Sequence, residues 1–111
     1  MTQDTGTLYW TAPEVLKGRH YSIPADIFSF GIVLTELDTV DVPYSDLQMN
    51  QKTFQRKVCN NKLRPKLSDS CPFWFVNLVE KCLAHKPSER PTANEIVDIL
   101  KCQLFPLDQD A

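Results

Sequence analysis

Few side chains in this sequence are of the types that do chemistry, and their spacing limits what each can do. Cys82 and His85 stand about one helical turn apart, enough for half of a zinc site. No second pair of ligands is evident, so buried or neutral thiols are the expectation and no metal site is assigned. Cys59, Cys71, Cys82 and Cys102 are irregularly spaced, with no Cys-x-x-Cys to suggest a disulfide or redox framework. Asp4-Thr5-Gly6 offers a carboxylate in a turn, as acid proteolysis requires. That chemistry also needs an apolar strand before the turn and a second aspartate loop, and Met1-Thr2-Gln3 is no such strand. His20 has no catalytic neighbour in sequence. Lys62, Arg64 and Lys66 could meet a phosphate, although an isolated cluster of this kind is more often a solvated edge. No catalytic residue is assigned in this chain.

The 111 residues are 42% apolar and 23% charged, which is ordinary for a globular domain. A formal charge of −2 gives no reason to expect a nucleic acid or an anionic membrane as partner. The first residues are polar and lack a basic region followed by an apolar run, so a cytoplasmic address is the expectation.

The elements that would position any site are helical. From Ile27 to Leu37 apolar residues fall at nearly every position, which predicts a helix buried at the centre of the fold. It is too short for a bilayer, which needs about 20 residues. Ser22 and Pro24 supply start signals, and Asp26 lies in the first turn, where the helix dipole favours a carboxylate. Ahead of it, Gly6 to Glu14 reads as an extended aromatic loop entering a short helix at Pro13, closed by Lys17 and Gly18. Leu47 to Val58 predicts an amphipathic helix stopped by Asn60-Asn61, and Arg64-Pro65 is extended. Another helix runs from the Ser70-Cys71-Pro72 start to about Leu83. It buries the rows Trp74, Leu78, Cys82 and Phe75, Val79, Leu83. Thr92 and Glu95 form a capping box, followed by an inward face of Ile96, Val97, Leu100 and Leu104. The expected fold is therefore mainly α, with no credible sheet.

Taken together, these residues resemble a known family. Gly6-Thr7-x-x-Trp10-x-Ala12-Pro13-Glu14, Asp26-x-x-Ser29-Phe30-Gly31, Cys82-Leu83 and Pro87-x-x-Arg90-Pro91-Thr92 are similar to the C-terminal part of a eukaryotic protein kinase catalytic domain. The likeness runs from Gly6 to about Leu104. Gly6-Thr7 ahead of the aromatic residues looks like the serine/threonine type. Ser29-Phe30-Gly31 and the Pro87 to Arg90 stretch look like the tyrosine-kinase-like group. The resemblance implies a partial helical C-terminal lobe over residues 1–105, built around the central helix, with a polar tail at 106–111.

It also implies roles. Glu14 and Arg90 would form a structural ion pair, and Asp26 would anchor the catalytic loop. Thr7, Leu8, Tyr9 and Trp10 would bind the protein substrate, and Thr2 and Thr5 are possible phosphosites. The complete domain would use ATP and magnesium. This sequence contains no Gly-x-Gly-x-x-Gly, Val-Ala-Ile-Lys, His-Arg-Asp or Asp-Phe-Gly, so the residues that bind them are absent from it. The chain is therefore expected to be a kinase fragment, from a truncated gene model or an excised piece, whose partner is the missing N-terminal part of the same domain. A stand-alone, non-catalytic interaction module is the alternative. In a fragment the central helix would lack part of its cover, and the isolated chain should expose apolar surface or pack loosely; a well-packed chain would favour the stand-alone module.

Overall fold

A computed structural model describes residues 8–45 and 48–105. Thr2, Thr5 and Thr7, with the tail from 106 onward, lie outside the described residues. Among those described there are five α-helices and one 3₁₀ turn, and no strand. The helices are α1 (Pro13–Leu16), α2 (Ile23–Thr39), α3 (Gln51–Cys59), α4 (Phe73–Cys82) and α5 (Ala93–Leu104), with the 3₁₀ turn Pro87–Glu89 before α5.

α2 is longer than the apolar run that marks it, beginning at Ile23 and ending at Thr39. Pro24 sits in its first turn, where the missing N–H costs nothing, and Asp26 follows. Ser22 occupies the cap position, but its hydroxyl makes no capping bond. The far end closes on Val40 in the left-handed region (φ 55°), whose N–H donates to Glu36. A β-branched residue is rare there.

The main core lies between α2, α4 and the start of α5. It contains Ala25, Ile27, Phe28, Ile32 and Leu34 of α2, then Leu78, Val79, Cys82, Leu83 and Ile96. Gly31 allows α2 to lie close on α4: a methyl group built there would stand 2.8 Å from both Cys82 Cβ and Leu83 Cδ2. The expected rows on α4 are the ones packed, with Asn77, Glu80 and Lys81 turned to solvent. A second, smaller cluster joins Leu8, Tyr44, Phe54 and Val58. It is strongly aromatic: the Tyr9, Tyr44 and Phe54 rings meet at 4.9–5.6 Å between centroids. α3 belongs to it and starts at Asn50, whose side chain accepts from Thr53 N at 2.8 Å.

α2 lacks part of its cover, as expected of a fragment: Ile23, Val33 and Leu37 are 75%, 40% and 68% exposed, because its packed neighbours lie along one side. One expectation needs correction. The face of α5 is shorter than the sequence suggested. The capping box is formed at both of its bonds and Ile96 is buried, but Val97 and Leu104 are exposed. The helix leaves the core after Leu100, so its apolar spacing outlasts its contacts.

Candidate functional site

Arg90 sits at the junction of α1, α2 and the loop after α4. Its side chain is fully buried, so each of its N–H groups needs an acceptor. All five have one. Nη1 donates to Glu14 Oε2 at 2.7 Å and to the Pro24 carbonyl at 2.9 Å. Nη2 donates to Glu14 Oε1 at 2.9 Å and to the His85 carbonyl at 3.3 Å, and Nε donates to the Ala84 carbonyl at 2.8 Å. The guanidinium also lies 5.1 Å from the centre of the Phe28 ring. Burial by itself would raise the pKa of Glu14. The hydrogen bonds and charge of Arg90 outweigh it and hold the carboxyl below its ordinary value. Two residues 76 apart in sequence thus fasten the end of α1 to the loop that precedes α5.

From this clamp the segment ahead of α1 runs along α2. Ser29 Oγ donates to the Trp10 carbonyl at 2.6 Å, and Trp10 Nε1 donates to Glu36 Oε1 at 2.8 Å. These two bonds, nearly two helical turns apart on α2, fix the register of the aromatic segment. Leu8 is buried in the second cluster, and Tyr9 and Trp10 are half-buried, so their rings serve the packing of this segment as well as its surface. Neither Ser29 nor Glu36 is marked by its residue type: Ser29 belongs to the Asp26-x-x-Ser29-Phe30-Gly31 motif, whereas nothing about Glu36 in the sequence singles it out.

Asp26 is exposed in the first turn of α2, where the Tyr21 hydroxyl bonds to it; that bond raises the pKa of the phenol. Beside it, Ile27, Phe30, Ile96, Val97 and Leu100 line an apolar groove of about 450 Å³ between α2 and α5. At the opposite end of α2, Asp38 Oδ2 accepts from Ser68 N at 2.6 Å and Oδ1 from Ser68 Oγ at 2.8 Å, tying down the approach to α4. The three expected bases, Lys62, Arg64 and Lys66, are all exposed; Arg64 alone also donates to the Leu83 carbonyl, and its partial burial lowers its pKa.

Cys82 is buried, which pushes its thiol up to about 11, and no group of three metal-ligating side chains occurs among the described residues. Among them, too, no helix is long and apolar enough to cross a membrane.

A helical lobe centred on one apolar helix, with a distant carboxylate and arginine clamped across it, is the arrangement that the kinase resemblance implies. Residues 1–100 match the protein kinase domain family, and the chain belongs to that family. It is 40% identical over 100 residues to a probable serine/threonine-protein kinase of Dictyostelium discoideum, a match covering 90% of this chain and 6% of that protein. Against the serine/threonine-protein kinase STY17 of Arabidopsis thaliana it is 41% identical over 100 residues, covering 90% of this chain and 17% of that protein. Against the serine/threonine/tyrosine-protein kinase HT1 of the same plant it is 38% identical over 96 residues, covering 86% and 24%. The chain therefore spans a quarter or less of these relatives, whose names are consistent with the tyrosine-kinase-like group.

Proposed function

We propose that this chain is the platform and substrate-binding portion of a serine/threonine protein kinase domain, which transfers the γ-phosphate of ATP to serine or threonine of a protein. The observation that carries this is the anchoring of the Leu8–Trp10 segment on α2 through Ser29 and Glu36, locked at its end by Arg90 and Glu14. Peptide selection requires a segment held at fixed register, since small displacements at a reacting centre cost large factors in rate. In this proposal Thr7 faces the catalytic groups, and Tyr9 and Trp10 border the pocket for the residue after the phosphoacceptor. Leu8 supports them from below. Asp26 exchanges the Tyr21 hydroxyl for backbone N–H groups of the catalytic loop. Thr2 and Thr5 are candidate phosphosites whose added charge would order the segment.

ATP and magnesium would supply the phosphoryl group and the charge that stabilises its transfer. Their binding residues belong to other parts of the domain, so the chain by itself should show no magnesium-dependent transfer. The test compares the pure chain with a complete kinase domain containing it, on serine and threonine peptides. The complete domain should be active and the chain silent. Tyr9→Ala and Trp10→Ala in the complete domain should raise KM for peptide and leave KM for ATP unchanged. Transfer by the pure chain, or a loss confined to ATP, would overturn the assignment.

A further inference from the structure

Beside the Arg90 clamp is a second cavity, of about 300 Å³, which the kinase reading does not use. Its lining gathers Lys17, Arg19, His20, His85 and Lys86, in a chain whose formal charge is −2. The one acid in the lining is Glu14, and both of its oxygens are already taken by Arg90. Lys17, Arg19 and Lys86 are exposed, and the only ion pair among the described residues is Glu14–Arg90. These cations converge on an open cavity with no free anion among the described residues of its lining.

The walls are held in place by the clamp. One wall is the turn after α1, where Gly18 (φ 89°) reverses the chain and Arg19 N donates to the Glu14 carbonyl at 3.0 Å. That turn brings Arg19 and His20 round beside Lys17. The other wall is the loop after α4, whose Ala84 and His85 carbonyls accept from Arg90. A buried guanidinium thus grips both loops from behind while their outward side chains are basic. A site preorganised in this way spends less of its binding energy on ordering the protein.

We propose that this cavity is a docking site for a phosphorylated side chain of a partner peptide. Three cations exceed what one carboxylate could neutralise. A phosphate brings close to two negative charges and three acceptor oxygens, suited to the fork of Arg19 and the ammonium groups of Lys17 and Lys86. A lipid surface fits less well, since the only apolar residues of the lining are Pro13 and Pro87. The site stands apart from phosphoryl transfer and does not depend on the kinase assignment.

His85 provides an internal reporter. Burial first, then Lys17 just after α1, Arg64 of the extended segment and Arg90, lower its pKa, against Glu14, which raises it. An anion in the cavity would favour the imidazolium, so binding should raise the His85 pKa. The phosphate's own second ionisation, near pH ~6, titrates in the same range, so the ring resonance and not net proton uptake is the readout.

The test follows binding to the full chain by NMR titration of the histidine ring resonances and by isothermal calorimetry. The probes are inorganic phosphate, a phosphothreonine peptide, the same peptide with glutamate or unmodified threonine, and vesicles containing phosphatidylserine. The phosphopeptide should bind at least about tenfold more tightly than either control peptide and raise the His85 pKa. Lys17→Ser and Arg19→Ser should each weaken it roughly tenfold. Both residues are exposed, so the circular dichroism spectrum should not change. Lys81→Ser, away from the cavity, should have no effect. Equal affinity for all peptides, an unmoved His85 resonance, binding that survives both substitutions, or preference for the vesicles would each overturn the proposal.

Discussion

At Gly31 the backbone of α2 approaches α4 so closely that there is no room for a methyl group. Two positions along the same helix, Val33 points outward, and Leu37 follows it one turn later with most of its surface exposed. The two faces are alike in composition and opposite in environment. One is closed by α4 and contains the buried Ile32 and Thr35, the threonine hydroxyl being satisfied by the Ile32 carbonyl at 2.6 Å. The other carries valine, leucine and isoleucine that the described residues leave 40–75% exposed. Stability should therefore be concentrated on the first face, while the second is free to make contacts with other protein. Substitutions on the two sides should differ in size and in kind.

The largest effect is expected at the end of the packed face. Arg90→Ala would leave Glu14 without its partner and take a donor from each of three carbonyls, at a cost of about 3–5 kcal/mol. Glu14→Ala should cost a comparable amount, and the double variant much less than the sum of the two. Denaturant unfolding of the four proteins checks this, and additivity within about 0.5 kcal/mol would dismiss the clamp as an energetic unit. Acid provides a second check. The folded-state pKa of Glu14 is lowered, so its contribution is fully present above the ordinary carboxylate range and is lost as pH falls through the depressed value. The melting temperature should fall with acidification by more in the native chain than in Glu14→Gln.

Gly31→Ala comes next. The added carbon would meet Cys82 Cβ, an atom fixed to backbone, and not only the movable end of Leu83. Overpacking of this kind costs about 1–3 kcal/mol. Cys82→Gly in the same protein should restore part of the loss even though it creates a second defect. If Gly31→Ala is neutral, the two helices are less tightly seated than the distances indicate.

How much of this contrast is legible in the sequence depends on what each feature requires. The apolar run of α2, the rows of α4 and the Thr92–Glu95 box are local patterns, and each element forms within a few residues of where its pattern lies. The coverage of α2 is different in kind, because Val33 and Ile32 are equally apolar and only the position of α4 separates them. The pairing of Glu14 with Arg90 across 76 residues could be inferred only through the family resemblance. Ser29 belongs to a family motif but Glu36 has no signal beyond its polarity, and the partner of each is set by where Trp10 comes to rest. Val40 is a further case: glycine or asparagine is the usual residue at such a helix end, and valine there gives no warning.

Val40 also supplies a prediction of opposite sign. Its left-handed conformation costs an L-residue with a branched side chain about 1–2 kcal/mol, and its side chain is exposed, so little packing is lost with it. Val40→Gly should therefore stabilise the chain by up to about 1 kcal/mol, the remainder being offset by the entropy of glycine in the unfolded state. Destabilisation on unfolding would show that the valine makes a contact that outweighs the strain.

The smallest effect on stability, and the most informative about the bare face, is expected from Val33→Lys and Leu37→Lys together. Neither side chain lies in the main core, so the unfolding midpoint should shift by no more than about 0.5 kcal/mol equivalent, as for surface positions generally. An apolar face left open should nevertheless bind a dye such as ANS and promote self-association of the chain, and the two lysines should reduce both. In a complete kinase domain the same substitutions should act in the opposite direction. If other parts of the domain pack on this face, burying two ammonium groups there would cost several kcal/mol and abolish activity. A large stability loss in the isolated chain would mean that the face is already packed. Unaltered activity in the complete domain would mean that it remains open there too, available to a separate partner.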